Sequence, residues 1–310
     1  MKSYIGYSND NNLRVKGTSG GIGSTLIKYL FDKNIIKSSI SFKYDSTTLQ
    51  YQPYIIHSYE DYKIVGSIYH EINIISFIKK HMNEIKGDFA CFCLPCQARA
   101  IRSILKRNNI NSILIGLTCS SQQSIEATKY LLKREHINPD EVSLIQYRGN
   151  NWPSGIQITL KNGNKFFISN NNSIWTKIFH SRLFILPQCF KCSNTLNTFS
   201  DISLADPWLD NFIKEEKVGK TIIMLNNEKG EDLFYKCVKE QYILVSKLDE
   251  NLVLKSQQGT IERKLKYLHN KKITRIKKIW LSPLYRKIVT ANNLFFFLHI
   301  KLKSFIERNL

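Results

Sequence analysis

Three cysteines stand close together in CFCLPCQ, as Cys91, Cys93 and Cys96; Cys119 ends the run ILIGLTC, and Cys189 and Cys192 form a CxxC in PQCFKC. Soft thiolates that converge from loops can hold an iron–sulfur cluster or a zinc ion. Cys96 follows a proline at the end of an apolar run and opens a helical stretch, where a positive helix end favours thiolate over thiol. Cys119 closes a second apolar run. If the two runs are neighbouring strands, both sulfurs emerge at one carboxyl edge, where α/β proteins build their sites. The CxxC then closes the cage from a separate loop, which makes Cys96, Cys119, Cys189 and Cys192 the candidate metal ligands. From spacing alone, a cluster and a structural zinc on four cysteines stand level; a second CxxC, which would favour zinc, is missing. A thioredoxin-like redox pair fits poorly, because the CxxC does not start a first βαβ helix. Cys91, Cys93 and Cys237 read as buried structural thiols, with Cys93 near enough to Cys96 to serve as a spare ligand.

A second chemical feature is TSGGIGST, Thr18 to Thr25, with three glycines ahead of an amphipathic run. Such a loop lets backbone amides approach a phosphate, and the following helix N-terminus favours its charge. Neither the Gly-Lys-Ser/Thr of a P-loop nor the full dinucleotide spacing is present. Taken by itself, this is more often a structural helix cap than a ligand site. The seven histidines are scattered without ligand spacing, and no Ser/His/Asp or Cys/His hydrolase arrangement emerges.

The elements that must carry these residues alternate strand and helix. Apolar positions predict helices over Ile22–Lys33, Ile72–Ile85, Gln97–Arg107 and Ser124–Glu135, and strands over Lys37–Tyr44, Tyr54–Ser58, Asp88–Leu94 and Ser112–Leu117. That pattern predicts an α/β fold, α+β mixed in detail, with a mostly parallel sheet and flanking helices. Val142–Tyr147 and Ile156–Lys161 alternate polar and apolar residues, and Asn162-Gly163 turns the chain into Lys165–Ser169, so a β-hairpin-containing second lobe follows. Thr221–Leu225 and Gly230–Glu240 add a strand and a helix. The expected organisation is an N-terminal lobe over 1–138, a second lobe over 139–260 and a basic helical tail over 261–310.

The formal net charge is +20, part of it from a general Lys/Asn/Ile richness and part from segments such as Lys264–Lys278. No recognised nucleic-acid motif accompanies the lysines, so no specific nucleic acid is expected. The N-terminus has no signal-peptide pattern and no run reaches the roughly 18–20 apolar residues of a span, which points to the cytoplasm. The tail Ile273–Leu310 reads first as a packed helix, with peripheral membrane contact as the other reading.

Eight segments in order carry a family likeness: SGGIGSTLIKYLFDKNII, GSIY, FCLPCQARAIR, IGLTC, YRGNNWPSG, LPQCFKC, DISLADPW and GKTIIMLNNEKGEDL. Together they resemble the coenzyme F420 hydrogenase/dehydrogenase beta-subunit family over roughly residues 14 to 260. The resemblance implies an oxidoreductase with a 4Fe-4S cluster on Cys96, Cys119, Cys189 and Cys192, and FAD rather than FMN. It implies that Ser19, Gly20, Gly21, Gly23 and Thr25 face the flavin, with Ser67, Tyr69 and Arg148 as further contacts. Arg148 or a backbone amide would stabilise the reduced flavin, and Asp206 and Trp208 belong to a motif without an assigned role. Many bacterial members are associated with surface-polysaccharide loci, which implies such a locus for the oxidoreductase; a non-redox glycan-biosynthesis accessory protein with a structural zinc on the four cysteines is the rival reading. The chain departs from the pattern in having no cysteine before Cys91, which implies that a redox partner protein or a soluble carrier feeds it. Ile68 and Ala205 stand where many relatives have lysine and glycine. The catalytic residue and the small-molecule substrate stay open.

Overall fold

The computed structural model describes residues 2–148, 152, 154–171 and 173–309. Its strands are β1 (Lys2–Ser8), β2 (Ser38–Asp45), β3 (Gln50–Ile56), β4 (Phe89–Cys93), β5 (Ser112–Leu117), β6 (Val142–Gln146), β7 (Gly155–Leu160), β8 (Lys165–Ser169), β9 (Ile202–Ala205), β10 (Thr221–Leu225) and β11 (Ile243–Lys247). The helices up to the second lobe are α1 (Asn11–Lys16), α2 (Ile22–Asp32), α3 (Ile74–Lys80), α4 (Ala98–Arg107) and α5 (Glu126–Arg134). They continue as α6 (Ile174–Ser181), α7 (Asp210–Glu215), α8 (Glu228–Lys239) and α9 (Glu250–His269), and end in α10 (Lys271–Trp280), α11 (Pro283–Val289) and α12 (Asn293–Asn309).

Eight strands form one sheet in the order β11-β1-β10-β9-β5-β4-β2-β3, and β6-β7-β8 form a small antiparallel sheet. The α/β class stands, and the parallel pairing is concentrated at the centre: β2, β4, β5 and β9 run parallel, while antiparallel strands extend both edges. β4 and β5 are nearly continuous apolar runs because helices cover both of their faces. On one face α2 and α8 bury Ile22, Leu26, Leu30, Leu233 and Phe234. On the other, α3 and α4 bury Ile74, Ile78, Ile101 and Leu105, with Cys91 and Cys93 among them.

Past the division expected near residue 138 the chain enters the small sheet β6-β7-β8. After the hairpin the chain returns, and β9, β10 and β11 join the sheet begun by β1–β5. Asp201, buried at the head of β9, anchors the return. Its carboxylate accepts from the Leu114 amide at 2.7 Å, from Arg102 at 3.0 Å and from Asn227 at 2.8 Å, tying β5, α4 and the cap of α8 together. The expected helix Ile72–Ile85 is shorter than its apolar pattern, because α3 ends at Lys80 and a separate turn, Met82–Glu84, follows.

Candidate functional site

The register of the central strands builds the site. β4 and β5 are parallel neighbours with Cys93 opposite Gly116, so the loops holding Cys96 and Cys119 leave the sheet at the same carboxyl edge. Cys189 sits in a tight helical turn, Pro187–Lys191, and Cys192 caps that turn. The two loops are stitched together by backbone bonds: Cys119 donates to the Thr195 carbonyl at 3.1 Å and Leu186 to that of Gln122 at 3.2 Å. The Gln122 amide approaches the Cys189 sulfur at 3.5 Å, the kind of N–H···S contact that cluster-binding loops make.

The four thiols are neighbours. Loss of hydration pushes the half-buried Cys119 up to about 12; the Lys264 ammonium opposes this, and the sulfurs of Cys189, Cys96 and Cys192 reinforce it. Cys96 is the most exposed of the four. Its thiol is raised rather than lowered, by partial desolvation and then by Cys192 and Cys189. Cys96 directly precedes Gln97, the N-cap of α4. Among the described residues, no group of three or more His, Cys, Asp or Glu side chains is drawn close enough to hold a metal ion.

Positive charge gathers around the sulfurs from α9 and from the end of α6. Lys264, buried, donates to the Asn194 carbonyl at 2.7 Å and reaches the Cys192 sulfur at 3.5 Å. Arg263 donates to Ser120 at 2.7 Å, and the fully buried Arg182 to Ser121 at 3.2 Å. Burial and the Arg182 charge push the Arg263 guanidinium down to about 10, with Cys119 among the groups that favour its charge. Glu307 is paired with Lys303 at 2.6 Å and accepts from Tyr267.

Beside this cage lies a cavity of about 380 Å³ whose wall includes Cys93, Cys119, Ser19, Gly21, Gly23, Ser67, Tyr69, Arg148, Asp206 and Trp208. The glycine loop enters it with Ser19, Gly20 and Gly21 all at positive φ. A Cβ on Gly21 would lie 2.2 Å from the Leu13 carbonyl oxygen, and one on Gly66 would lie 2.0 Å from that of Arg148, so both close approaches require glycine. Arg148 is buried against Asp206 at 2.5 Å and donates to Ser19 at 2.9 Å, while the Ser19 hydroxyl donates to the other Asp206 oxygen.

Residues 3–79 match the N-terminal part, and residues 87–251 the C-terminal part, of the coenzyme F420 hydrogenase/dehydrogenase beta subunit. The chain belongs to this beta-subunit family. It is 26% identical over 259 residues to the F420-dependent formate dehydrogenase subunit beta of Methanocaldococcus jannaschii, covering 82% of this chain and 64% of that one. It is 24% identical over 250 residues to the F420-dependent formate dehydrogenase 1 subunit beta of Methanococcus maripaludis, with 77% and 60% covered. The chain thus spans just under two thirds of these relatives' length. A chain in the F420-reducing [NiFe] hydrogenase complex from Methanosarcina barkeri shares the fold, with a TM-score of 0.65, 17% identity, and 86% of this chain and 90% of that one covered. The family is one of oxidoreductases, and the relatives are subunits of multi-subunit enzymes.

Against the beta-subunit motifs, the placement of each candidate is uneven. Ser19, Gly21, Gly23, Ser67, Tyr69 and Arg148 line the cavity, as do Ile68 and Ala205. Gly20 and Thr25 do not: Gly20 packs against the Gly219 backbone, and the Thr25 hydroxyl is spent on Ser8 at 2.6 Å inside the core. Arg148 does not offer a free charge, because Asp206 neutralises it. Burial works against the guanidinium charge, but the Asp206 carboxylate and then Tyr69 more than offset it and raise its pKa. Its Nε, fully buried, has no partner among the described residues. Gly149–Asn151 and Pro153 of the YRG motif lie outside the described residues. The sequence reading missed Lys264, Arg263, Arg182 and Gln257. Gln257 donates to the Asp206 backbone at 2.9 Å and brings α9 over the cavity. Lysine-rich composition hid Arg263 and Lys264, since a run of basic residues looks like a solvated face.

Proposed function

We propose that this protein is a cytoplasmic flavin- and iron–sulfur-dependent oxidoreductase subunit, with a 4Fe-4S cluster on Cys96, Cys119, Cys189 and Cys192 and FAD in the adjoining cavity. The observation that carries the reading is the charge around the cage. Arg182, Arg263 and Lys264 crowd buried or half-buried beside four thiols, and the nearby acid, Glu307, is already paired with Lys303. Unpaired buried cations are costly. A thiolate-held anionic cluster offsets them, whereas four neutral thiols do not.

The cavity suits a flavin on its own terms. It has the size and mixed lining of a cofactor site, and the α2 N-terminus has no capping side chain to satisfy its first amides. When bound, the flavin supplies exchange between hydride and single electrons, and the cluster carries single electrons. This chain's residues do the positioning: Asp206 locks Ser19 and Arg148, and Cys119, present on both the cavity wall and the cage, keeps the two groups close. The hydride donor or acceptor would enter the same cavity, and a redox partner protein or soluble carrier would take or give the single electrons.

Anaerobic purification with absorbance spectroscopy and metal, sulfide and flavin analysis tests this. About four irons, four sulfides and one FAD per chain are expected. One zinc per chain, with neither iron nor flavin, would overturn it in favour of the non-redox accessory reading.

A further inference from the structure

The last three helices lie beyond the family match, which ends at residue 251, and they carry an apolar face that the body of the protein does not use. In α12, Leu294, Leu298, Leu302 and Phe305 recur at spacings of four, four and three, and each is at least half exposed. That spacing places them on one helical stripe. The stripe is not a core face left open, because the other side of α12 is already seated. Phe296, His299 and Lys303 are buried, with His299 bonded to the Ser181 carbonyl at 2.9 Å. Leu284 and Ile288 of α11, four apart, are exposed as well, at 68% and 50%.

Charge says what covers this face. Residues 271–310 hold ten lysines and arginines and one acid, Glu307. Glu307 faces inward to Lys303 and Tyr267, whereas Lys278, Lys287, Lys301 and Arg308 are exposed. A second copy docking face to face would oppose two such basic surfaces. An anionic bilayer answers both features at once: leucine and phenylalanine enter the acyl boundary, and lysine and arginine meet the headgroups. Among the described residues no helix is long and apolar enough to cross a membrane, so the contact would lie in the interface plane. We propose that the exposed face of α11 and α12 seats this protein on an anionic membrane surface.

The test is co-sedimentation of the full chain with phosphatidylglycerol/phosphatidylcholine vesicles and with pure phosphatidylcholine vesicles, at low and high salt. A protein this basic binds anionic vesicles by charge alone, so the deciding variant is L298Q/L302Q, which keeps every charge. Both positions are exposed, and circular dichroism would check that the variant is folded. Wild type is expected to bind the anionic vesicles, to retain part of that binding at high salt, and to lose about tenfold in partitioning in the variant. Equal binding by variant and wild type, or no binding to anionic vesicles, would overturn the proposal. A concentration-dependent dimer abolished by the same substitutions would overturn it in favour of a second copy.

Discussion

The glycine-loop wall of the cavity and the cysteine cage beside it handle buried charge in opposite ways. On the glycine-loop side, Arg148, Asp206 and Ser19 form a closed triangle in which the cation has its anion and the hydroxyl has its acceptor. On the cysteine side, Arg182, Arg263 and Lys264 lean on hydroxyls, a backbone carbonyl and sulfur; among the described residues none of the three has an ion pair of its own, and Glu307, the acid that acts on both arginines, is already held by Lys303. Closed charge is scaffold. Open charge of one sign marks the place where a ligand of the other sign belongs.

The largest expected effect follows from the open side. Cys189→Ala should strip the iron and sulfide while leaving bound flavin, measured by metal analysis and absorbance. Cys237→Ala supplies the contrast, since that thiol is buried in α8 and its loss should cost only about 1 kcal/mol of stability with iron unchanged. If the alanine at 189 kept a full complement of iron, the open-charge argument would lose its anion.

Next in size is the closed side. Asp206→Asn leaves the Arg148 cation buried without its carboxylate, and breaking such a pair costs about 3–5 kcal/mol. Thermal melts should show a marked drop in Tm together with weakened flavin retention, because Ser19 loses its anchor too. Adding Arg148→Met to Asp206→Asn should recover part of that stability, a sign of coupling within the triangle. If the double variant were less stable than either single one, the pair would not be the closed unit described here.

These contrasts explain what could be read from the residues in advance. The apolar runs ending at Cys93 and Leu117 were legible because strands buried on both faces have little polar content, and the parallel register then brought Cys96 and Cys119 to one edge. The hairpin at Asn162-Gly163 was legible through its turn chemistry. The return of β9–β11 into the first sheet was not, since strand order depends on contacts such as Asp201 with Leu114, far apart in the chain. The roles of Asp206 and Lys264 were hidden for a related reason: an ionisable residue takes its meaning from what faces it. Thr25 failed in the opposite direction, because a hydroxyl in a glycine loop can turn inward to another hydroxyl.

The finest test concerns Lys264, whose ammonium lies 3.5 Å from the Cys192 sulfur. Reduction adds negative charge to a cluster held there, and a fixed nearby cation stabilises the reduced form more than the oxidised one. Removing that cation should therefore lower the midpoint potential. Coulomb's law at the effective dielectric of a protein interior makes the shift on the order of 100 mV for one charge. Lys264→Met preserves most of the side-chain volume, so iron content should stay near that of wild type, and the change should appear in a redox titration followed by electron paramagnetic resonance. A lysine acting only as a strut for the Asn194 carbonyl would alter stability and leave the potential where it was. Lys264→Arg distinguishes the two roles again, since it keeps the charge while changing the fit: the potential should recover even if the melting temperature does not.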